Sequence, residues 1–310
     1  MNSHTEPTGK VLTIYDATAL LFRSYYGMGK VSSPEGFEVG ALLGVGQRLT
    51  ALMERQRPEH VAVVFDAGKK TFRNEIDPLY KANRGEPPED MLHQFDLEKE
   101  MITALGFACF CVVGYEADDL MATLATMARN QGVATQLVSV DKDLCQLVRD
   151  EPPSIFLYDP KRGVHSNEEG VKDRLGVYPH QVIDYFALLG DTSDNVPGVK
   201  GVGPKTAQAL IEEFGTLETI YDNLNKVGFL PIRRSKSLVQ TLEQGKPNAW
   251  LSRTLVTLKH DVDLGISEDE LLSATKWQGP TSQADELFDR LGFHRPLGRL
   301  HRLADALNDQ

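Results

Sequence analysis

Two kinds of apolar spacing alternate along the first half of the chain. Five short runs rich in β-branched or aromatic residues read as strands: Val11–Tyr15, His60–Phe65, Ala108–Val113, Gln136–Val140 and Ile155–Tyr158. Between them the spacing becomes helical, with Leu42, Leu43, Val45, Leu49 and Leu52 in one segment and Leu120, Leu124 and Met127 in another. Strand alternating with helix predicts an α/β fold, a mostly parallel central sheet flanked by helices on both faces, over residues 11–177. Beyond about Val177 the strand signal fades. The spacing predicts a helical subdomain over 178–264 and a helical tail over 265–310. The polar stretch 1–10 reads as a disordered lead-in. The segment 69–90 has little apolar periodicity, many charges and the pair Pro87-Pro88, and reads as a long loop or mobile arch.

In sheets of this kind the functional crevice lies beyond the carboxyl ends of the strands. Acidic residues gather there. Asp16 follows the first run, Asp66 the second, Asp141 the fourth, and Glu116, Asp118 and Asp119 come just after the third. Any one of them could be a helix cap or a complement to a helix dipole. The set is harder to dismiss. In Val140-Asp141-Lys142-Asp143 an extended backbone sends both acids to one side. In Asp191-Thr192-Ser193-Asp194 one helical turn brings the first and last together. In Glu116-Ala117-Asp118-Asp119 the first and third acids can share a site only if a helix begins near Ala117 or Asp118. Converging carboxylates repel by several kcal/mol per close pair, about 4 kcal/mol at 4 Å in a partly dry site. Such a gathering persists when cations occupy it. Oxygen donors with no His or Cys nearby select Mg²⁺, with Mn²⁺ able to substitute, and two such ions suit phosphodiester hydrolysis.

A second motif adjoins the last pair of acids. In Gly198-Val199-Lys200-Gly201-Val202-Gly203-Pro204-Lys205-Thr206-Ala207, the glycines permit a tight turn that exposes N–H groups, and Pro204 suits the first turn of a helix. A DNA phosphate can sit at that helix start with Lys205 nearby, a contact that is independent of base sequence. The Walker pattern for nucleotide phosphates is absent.

Charge complicates this reading. The formal net charge is −11, against the basic footprint expected of a nucleic-acid binder. Many of the acids lie in the few short motifs above, where bound cations would neutralise them. Basic residues also cluster, as Lys69, Lys70 and Arg73, as Lys81 and Arg84, and as Arg233, Arg234 and Lys236. Distribution therefore outweighs the total. Three cysteines, Cys109, Cys111 and Cys145, have no metal-ligand spacing and read as packed thiols in a reducing, cytoplasmic setting. No run approaches the roughly 20 apolar residues of a membrane span.

Taken in order, Val63-Val64-Phe65-Asp66, Thr71-Phe72-Arg73, Tyr80-Lys81-Ala82-Asn83-Arg84, Glu116-Ala117-Asp118-Asp119, Asp141-Lys142-Asp143 and Gly190-Asp191-Thr192-Ser193-Asp194-Asn195 through Ala207 resemble the 5′ nuclease domain of bacterial DNA polymerase I and the related phage 5′ exonucleases and flap endonucleases. The resemblance runs from about Val11 to Leu264. It implies a PIN-like 5′ nuclease fold with a helix-hairpin-helix subdomain. It implies that Asp16, Asp66, Glu116 and Asp118 ligate one metal, with Asp119 beside them, and that Asp141, Asp143, Asp191 and Asp194 surround a second. By the same resemblance Arg23, Lys81 and Arg84 are catalytic contacts to the scissile phosphate or 5′ strand, and Tyr80 stacks on a base. Arg73 and the hairpin residues Gly198, Lys200, Gly201, Gly203, Lys205 and Thr206 touch DNA, segment 69–90 forms part of an arch, and K⁺ sits at the hairpin.

The resulting expectation is a structure-selective 5′-3′ exonuclease or flap endonuclease of replication and repair, monomeric, with RNA primer strands a further substrate. Its products would carry a 5′ phosphate. Ala17 and Val140 stand where the family often has glycine, and no polymerase domain follows, so a free-standing nuclease is expected. The rivals are a related RNase, a DNA glycosylase, for which one catalytic Asp would suffice, and a catalytically silent DNA-structure-binding accessory, which has no need to maintain the repulsion.

Overall fold

A computed structural model describes residues 10–231 and 235–308. Apart from Lys10, the lead-in lies outside the described residues, as do Arg233 and Arg234. The strands and helices of the first half come in order as β1 (Val11–Asp16), α1 (Ala17–Gly27), α2 (Gly40–Gln56), β2 (His60–Val64), α3 (Phe72–Ile76), α4 (Glu89–Ala104), β3 (Ala108–Phe110), α5 (Ala117–Asn130), β4 (Ala134–Val138), β5 (Ile155–Asp159) and β6 (Val164–Ser166). The sheet order is β3-β2-β1-β4-β5-β6. All neighbours are parallel except β6, which pairs antiparallel with β5 at one edge. The three residues of β6, Val-His-Ser, carry too little pattern to announce a strand. β3 and β4 also stop short of the apolar runs that predict them, because the chain turns away at Cys111 and Ser139 towards the acids.

Successive strand residues point to opposite layers. Leu12, Ile14, Ala62, Val64, Leu137 and Leu157 meet α5 and the helical second half. Tyr15, Val61, Val63, Val138 and Tyr158 meet α1, α2 and α4. The second half comprises α6 (Glu168–Leu175), α7 (Val182–Leu189), α8 (Pro204–Phe214), α9 (Leu217–Asp222), α10 (Leu224–Val227) and α11 (Ser235–Val256). Leu188, Val199, Ala207, Leu210, Leu242 and Val256 belong to the same apolar cluster as the first sheet layer, so the acids of both halves are held on one core.

The C-terminal segment closes the other layer with α12 (Leu271–Thr275), α13 (Ala284–Leu291) and α14 (Arg295–Asn308). Trp277 donates its indole N–H to the Leu105 carbonyl at 3.0 Å. α14 lies along α2, burying Leu297, Leu300 and Leu303, while Arg299 pairs with Glu54. Arg299 therefore serves helix packing. Leu300 is fully buried. Leu300→Ala is expected to lower stability by about 2–4 kcal/mol, read from urea denaturation. An unchanged midpoint would show that α14 does not fold with the rest.

Candidate metal centre

Each acid reaches the carboxyl rim of the sheet by a different local device. Asp16 ends β1 and caps α1, accepting from Ala19 N at 2.9 Å. Asp66 follows β2 and accepts the Ala117 N–H at 2.9 Å, which fixes the start of α5. α5 begins at Ala117 with Glu116 as its N-cap, the boundary that lets Glu116 and Asp118 face one region. The pair after β4 departs from expectation. Lys142 takes a helical backbone conformation, and Asp143 N donates to Asp141 Oδ1 at 2.9 Å. A tight turn, rather than an extended strand, brings Asp141 and Asp143 to the cleft.

Asp191 and Asp194 lie in a turn closed by reciprocal Asp191–Val196 backbone bonds of 3.0 and 2.8 Å. Gly190 and Gly198 stand back to back beneath it, both with positive φ, and a Cβ on Gly198 would come within 2.4 Å of Gly190 N. Only glycine fits that crossing. Oxygens of Asp143, Asp191 and Asp194 all lie within 4.8 Å of one another. These acids, with Asp16, Asp141, Arg23, Arg84 and Lys142, line a cleft of about 320 Å³.

The electrostatics are those of crowded carboxylates. Burial, then Asp66 and Asp141, push Asp16 up to about 7. Burial, then Asp141, Asp194 and Asp191, do the same to Asp143, again to about 7. Asp118 is raised well above the usual range by burial and by Asp141, Asp16 and Asp143. Asp143 Oδ1 is buried with no hydrogen-bond partner among the described residues. Elsewhere the protein supplies its own cations. Lys142 pairs with Asp191 at 2.7 Å and, with Ser193, outweighs the effect of burial and holds that carboxyl low. Lys81 lies 2.8 Å from Glu116 and 3.6 Å from Asp194, and Arg84 pairs with Asp194. Mutual repulsion, an unsatisfied buried oxygen and an all-oxygen donor set fit divalent cations.

The segment expected to be a mobile arch is folded onto the acids from Thr71 to Arg84. Lys81 holds a left-handed backbone (φ 56) while its N–H donates to Asp194 O at 2.9 Å. Asn83 reaches Thr192 O at 2.8 Å, and Asn195 reaches Leu79 O at 2.6 Å. The basic strip and the acidic turn are thus stitched together by backbone contacts.

Three expected roles are corrected by this packing. Arg73, expected on DNA, is 1% exposed and forms a bidentate pair with Asp119 at 2.7 and 2.8 Å. Asp119, expected beside a metal, is fully buried, and its oxygens also accept from Glu116 N and Lys259 N. No lone pair is left to face an ion. Tyr80, expected to stack on a base, is 4% exposed and donates its hydroxyl to Glu116 Oε2 at 3.0 Å. These residues orient Glu116 and anchor α5. Lys142 was not singled out as a site residue, although its place between two of the acids is a signal in itself. Of the substituted positions, Ala17 is buried beneath the acids, and Val140 stands exposed at the cleft.

The hairpin joins α7 to α8 through 190–203. Gly198, expected on DNA, is instead buried and donates its N–H to Ser252 Oγ at 2.8 Å, so it serves the turn, and Pro204 occupies the first position of α8. Lys200, Gly201 and Lys205 are exposed, and a Cβ on Gly203 would meet nothing within 4 Å. The helix start is open to a ligand.

Comparison with known proteins agrees with this arrangement. DNA polymerase I of Pseudomonas aeruginosa is 39% identical over 261 residues, covering 84% of this chain and 28% of that protein. The Bacillus subtilis enzyme is 33% identical over 307 residues, covering 97% and 33% respectively. The chain thus spans a third or less of these relatives. Among solved structures, T5 5′-exonuclease with bound zinc ions superposes with a TM-score of 0.65 at 21% identity, covering 97% of this chain and 99% of that one. The catalytic core of Rad2 with DNA superposes with a TM-score of 0.54 at 20% identity, covering 91% and 92%. These two share the fold. Residues 11–176 match the 5′-3′ exonuclease N-terminal resolvase-like domain and residues 177–280 the 5′-3′ exonuclease C-terminal SAM fold, and the chain therefore belongs to the 5′-3′ exonuclease family.

Proposed function

We propose that the chain is a structure-selective 5′-3′ exonuclease and flap endonuclease of DNA replication and repair. The observation that carries this reading is the crowding of Asp16, Asp141, Asp143, Asp191 and Asp194 along one cleft, with Asp66 and Asp118 near enough to raise or share the charge of that group, beside the open helix-hairpin-helix. Asp16, Asp66, Glu116 and Asp118 would hold one Mg²⁺, and Asp141, Asp143, Asp191 and Asp194 a second. Held by these residues, the ions would supply charge stabilisation for phosphodiester hydrolysis.

The protein's own side chains supply the rest. Arg84, at the cleft wall, would meet the scissile phosphate and offset its growing charge, and Arg23, on the same wall, would contact the 5′ strand beside it. Lys81 does the same from a position fixed by Glu116, whose carboxylate is itself held by Tyr80 and Arg73. At the hairpin, Lys200, Gly201, Gly203, Lys205 and Thr206 would receive a duplex backbone phosphate, and K⁺ held by the loop would add positive charge there. Strand ends and junction shape then determine the substrate, since none of these contacts reads a base edge. RNA primer strands, a monomeric state and a cytoplasmic location belong to the same proposal. Among the described residues no helix is long and apolar enough to cross a membrane.

The test is cleavage of a 5′-flap DNA with Mg²⁺, with Mn²⁺ and with a chelator. Metal-dependent cutting near the junction, leaving a 5′ phosphate, is expected. Tight binding without cutting under either metal would make the protein a DNA-structure-binding accessory, and a 3′-phosphorylated product would rule out the chemistry above.

A further inference from the structure

Helices α1 and α2 touch at small residues, and a Cβ on Gly44 would lie 2.7 Å from Ser24 Cβ. That approach buries Ser24 fully and lays the Arg48 side chain of α2 across α1. Arg48 Nε donates to Ser24 Oγ at 3.2 Å. Its Nη2 passes 3.4 Å from the place a Cβ on Gly27 would take. One serine and one glycine of α1 therefore set where this guanidinium lies. Arg23, on the same helix one residue before Ser24, lines the catalytic cleft with Asp16 and Arg84.

The two arginines are close enough to repel. Burial, and then the charge of Arg23, hold Arg48 below its ordinary range. Among the described residues neither arginine forms an ion pair with a carboxylate. This is the inverse of the carboxylate cluster. Like charges tethered together in a partly dry setting repel one another unless an opposite charge joins them. For two guanidinium forks the matching partner is a phosphate, which takes parallel N–H bonds from each.

We propose that Arg48, with Arg23, forms a phosphate-binding pair for a backbone phosphate of DNA next to the one being cut. The proposal rests on the nuclease reading for its choice of DNA. Its position along the strand follows from α1. Asp16 caps the helix start, and at about 1.5 Å per residue Arg23 and Gly27 stand about 10 and 16 Å further along the axis. That separation is too large for Arg48 to share the scissile phosphate with the acids. The contact extends the grip on the DNA away from the cleft along α1, and it carries no base information.

The test uses the whole protein and a 5′-flap DNA in chelator, so that cleavage does not enter. Binding is followed by fluorescence anisotropy across a salt series. Arg48→Met is expected to weaken binding about 5- to 20-fold and to lower the slope of log Kd against log salt by about 0.9. Arg48→Lys is expected to keep most of the slope but only part of the affinity. DNAs carrying a single methylphosphonate locate the phosphate. One neutralised position near the junction should weaken binding by the wild type and leave Arg48→Met unaffected.

An unchanged slope for Arg48→Met overturns the proposal, whether or not the melting temperature falls, because it leaves Arg48 a packing role alone. Absence of salt-dependent flap binding by the wild type overturns it too. Failure of the nuclease reading would look different: the wild type would not cut under Mg²⁺, while Arg48→Met would still lose the salt slope.

Discussion

Arg73→Met is expected to lower the stability of the protein by about 3–5 kcal/mol, an effect on folding that a surface DNA contact would not produce. Arg73 donates to both oxygens of Asp119, to Leu255 O at 2.7 Å and to Thr257 O at 3.1 Å. Through these bonds α3, the start of α5 and the end of α11 meet at one guanidinium. Methionine fills much of the volume but leaves the Asp119 carboxylate buried without its counter-charge, and two carbonyls lose a donor. Removing one partner of a buried pair is costly because the other stays charged in a dry site, whereas removing both is less so. Arg73→Met combined with Asp119→Leu should therefore recover part of the loss, although Glu116 N and Lys259 N would then lack their acceptor. Arg73→Lys should not restore it, since one ammonium cannot make the bidentate pair and reach both carbonyls. Urea denaturation of the three variants decides the matter. Wild-type stability in Arg73→Met, accompanied by weaker flap binding, would return Arg73 to the DNA surface.

For Asp118→Asn two effects of opposite sign are expected. Flap cleavage in Mg²⁺ should fall by a thousandfold or more, equivalent to about 4 kcal/mol on the barrier. The metal-free protein, in contrast, should melt at a higher temperature than the wild type at pH 8. Asp118 has a raised pKa in the fold, from burial and from Asp141, Asp16 and Asp143, so its charged form is the disfavoured one. Such a group lowers stability increasingly as pH rises above the ordinary carboxylate range, and it has little effect below that range. The asparagine variant removes this penalty. Its advantage should therefore be largest at pH 8, smaller at pH 5 and lost near pH 4. Melting in chelator at these pH values, beside cleavage rates, tests both effects. A variant that is less stable at every pH would mean that Asp118 is a structural carboxylate, and one that still cuts would remove it from the metal centre.

These two acids, neighbours in sequence, show how far the sequence is legible. The strand-end positions of Asp16, Asp66 and Asp141 follow from apolar periodicity alone, since a parallel sheet sends its carboxyl ends to one rim. The need for Glu116 and Asp118 to share a face places the start of α5 near Ala117 or Asp118, and the helix begins at Ala117. Asp118 and Asp119, however, differ by about 100° around a helix, and that rotation turns one into the cleft and the other into the core. No local pattern marks Arg73 as the buried partner, because a guanidinium beside charged residues resembles a solvated strip until its counter-charge on another element is known. Tyr80 is hidden in the same way, since its hydroxyl partner lies 36 positions away. The apolar run continues through Val140 and so predicts an extended Asp141–Asp143, whereas the strand ends at Val138 and the acids lie in a turn. Arg48 was not legible at all, since its neighbour Arg23 is brought near it only by the packing of α1 on α2.

On the proposed nuclease reading, the back-to-back glycines at 190 and 198 bear on where a strand would be broken. The crossing admits no side chain and is closed by the Asp191–Val196 bonds, so the acidic turn and the hairpin loop are two ends of one stiff bracket. A duplex resting on the hairpin, as proposed, would then be held at a set offset from Asp191 and Asp194, as work is held against the stop of a saw. The place of the cut would be measured from the duplex side by the fixed backbone path, with no need for a protein contact at every intervening nucleotide.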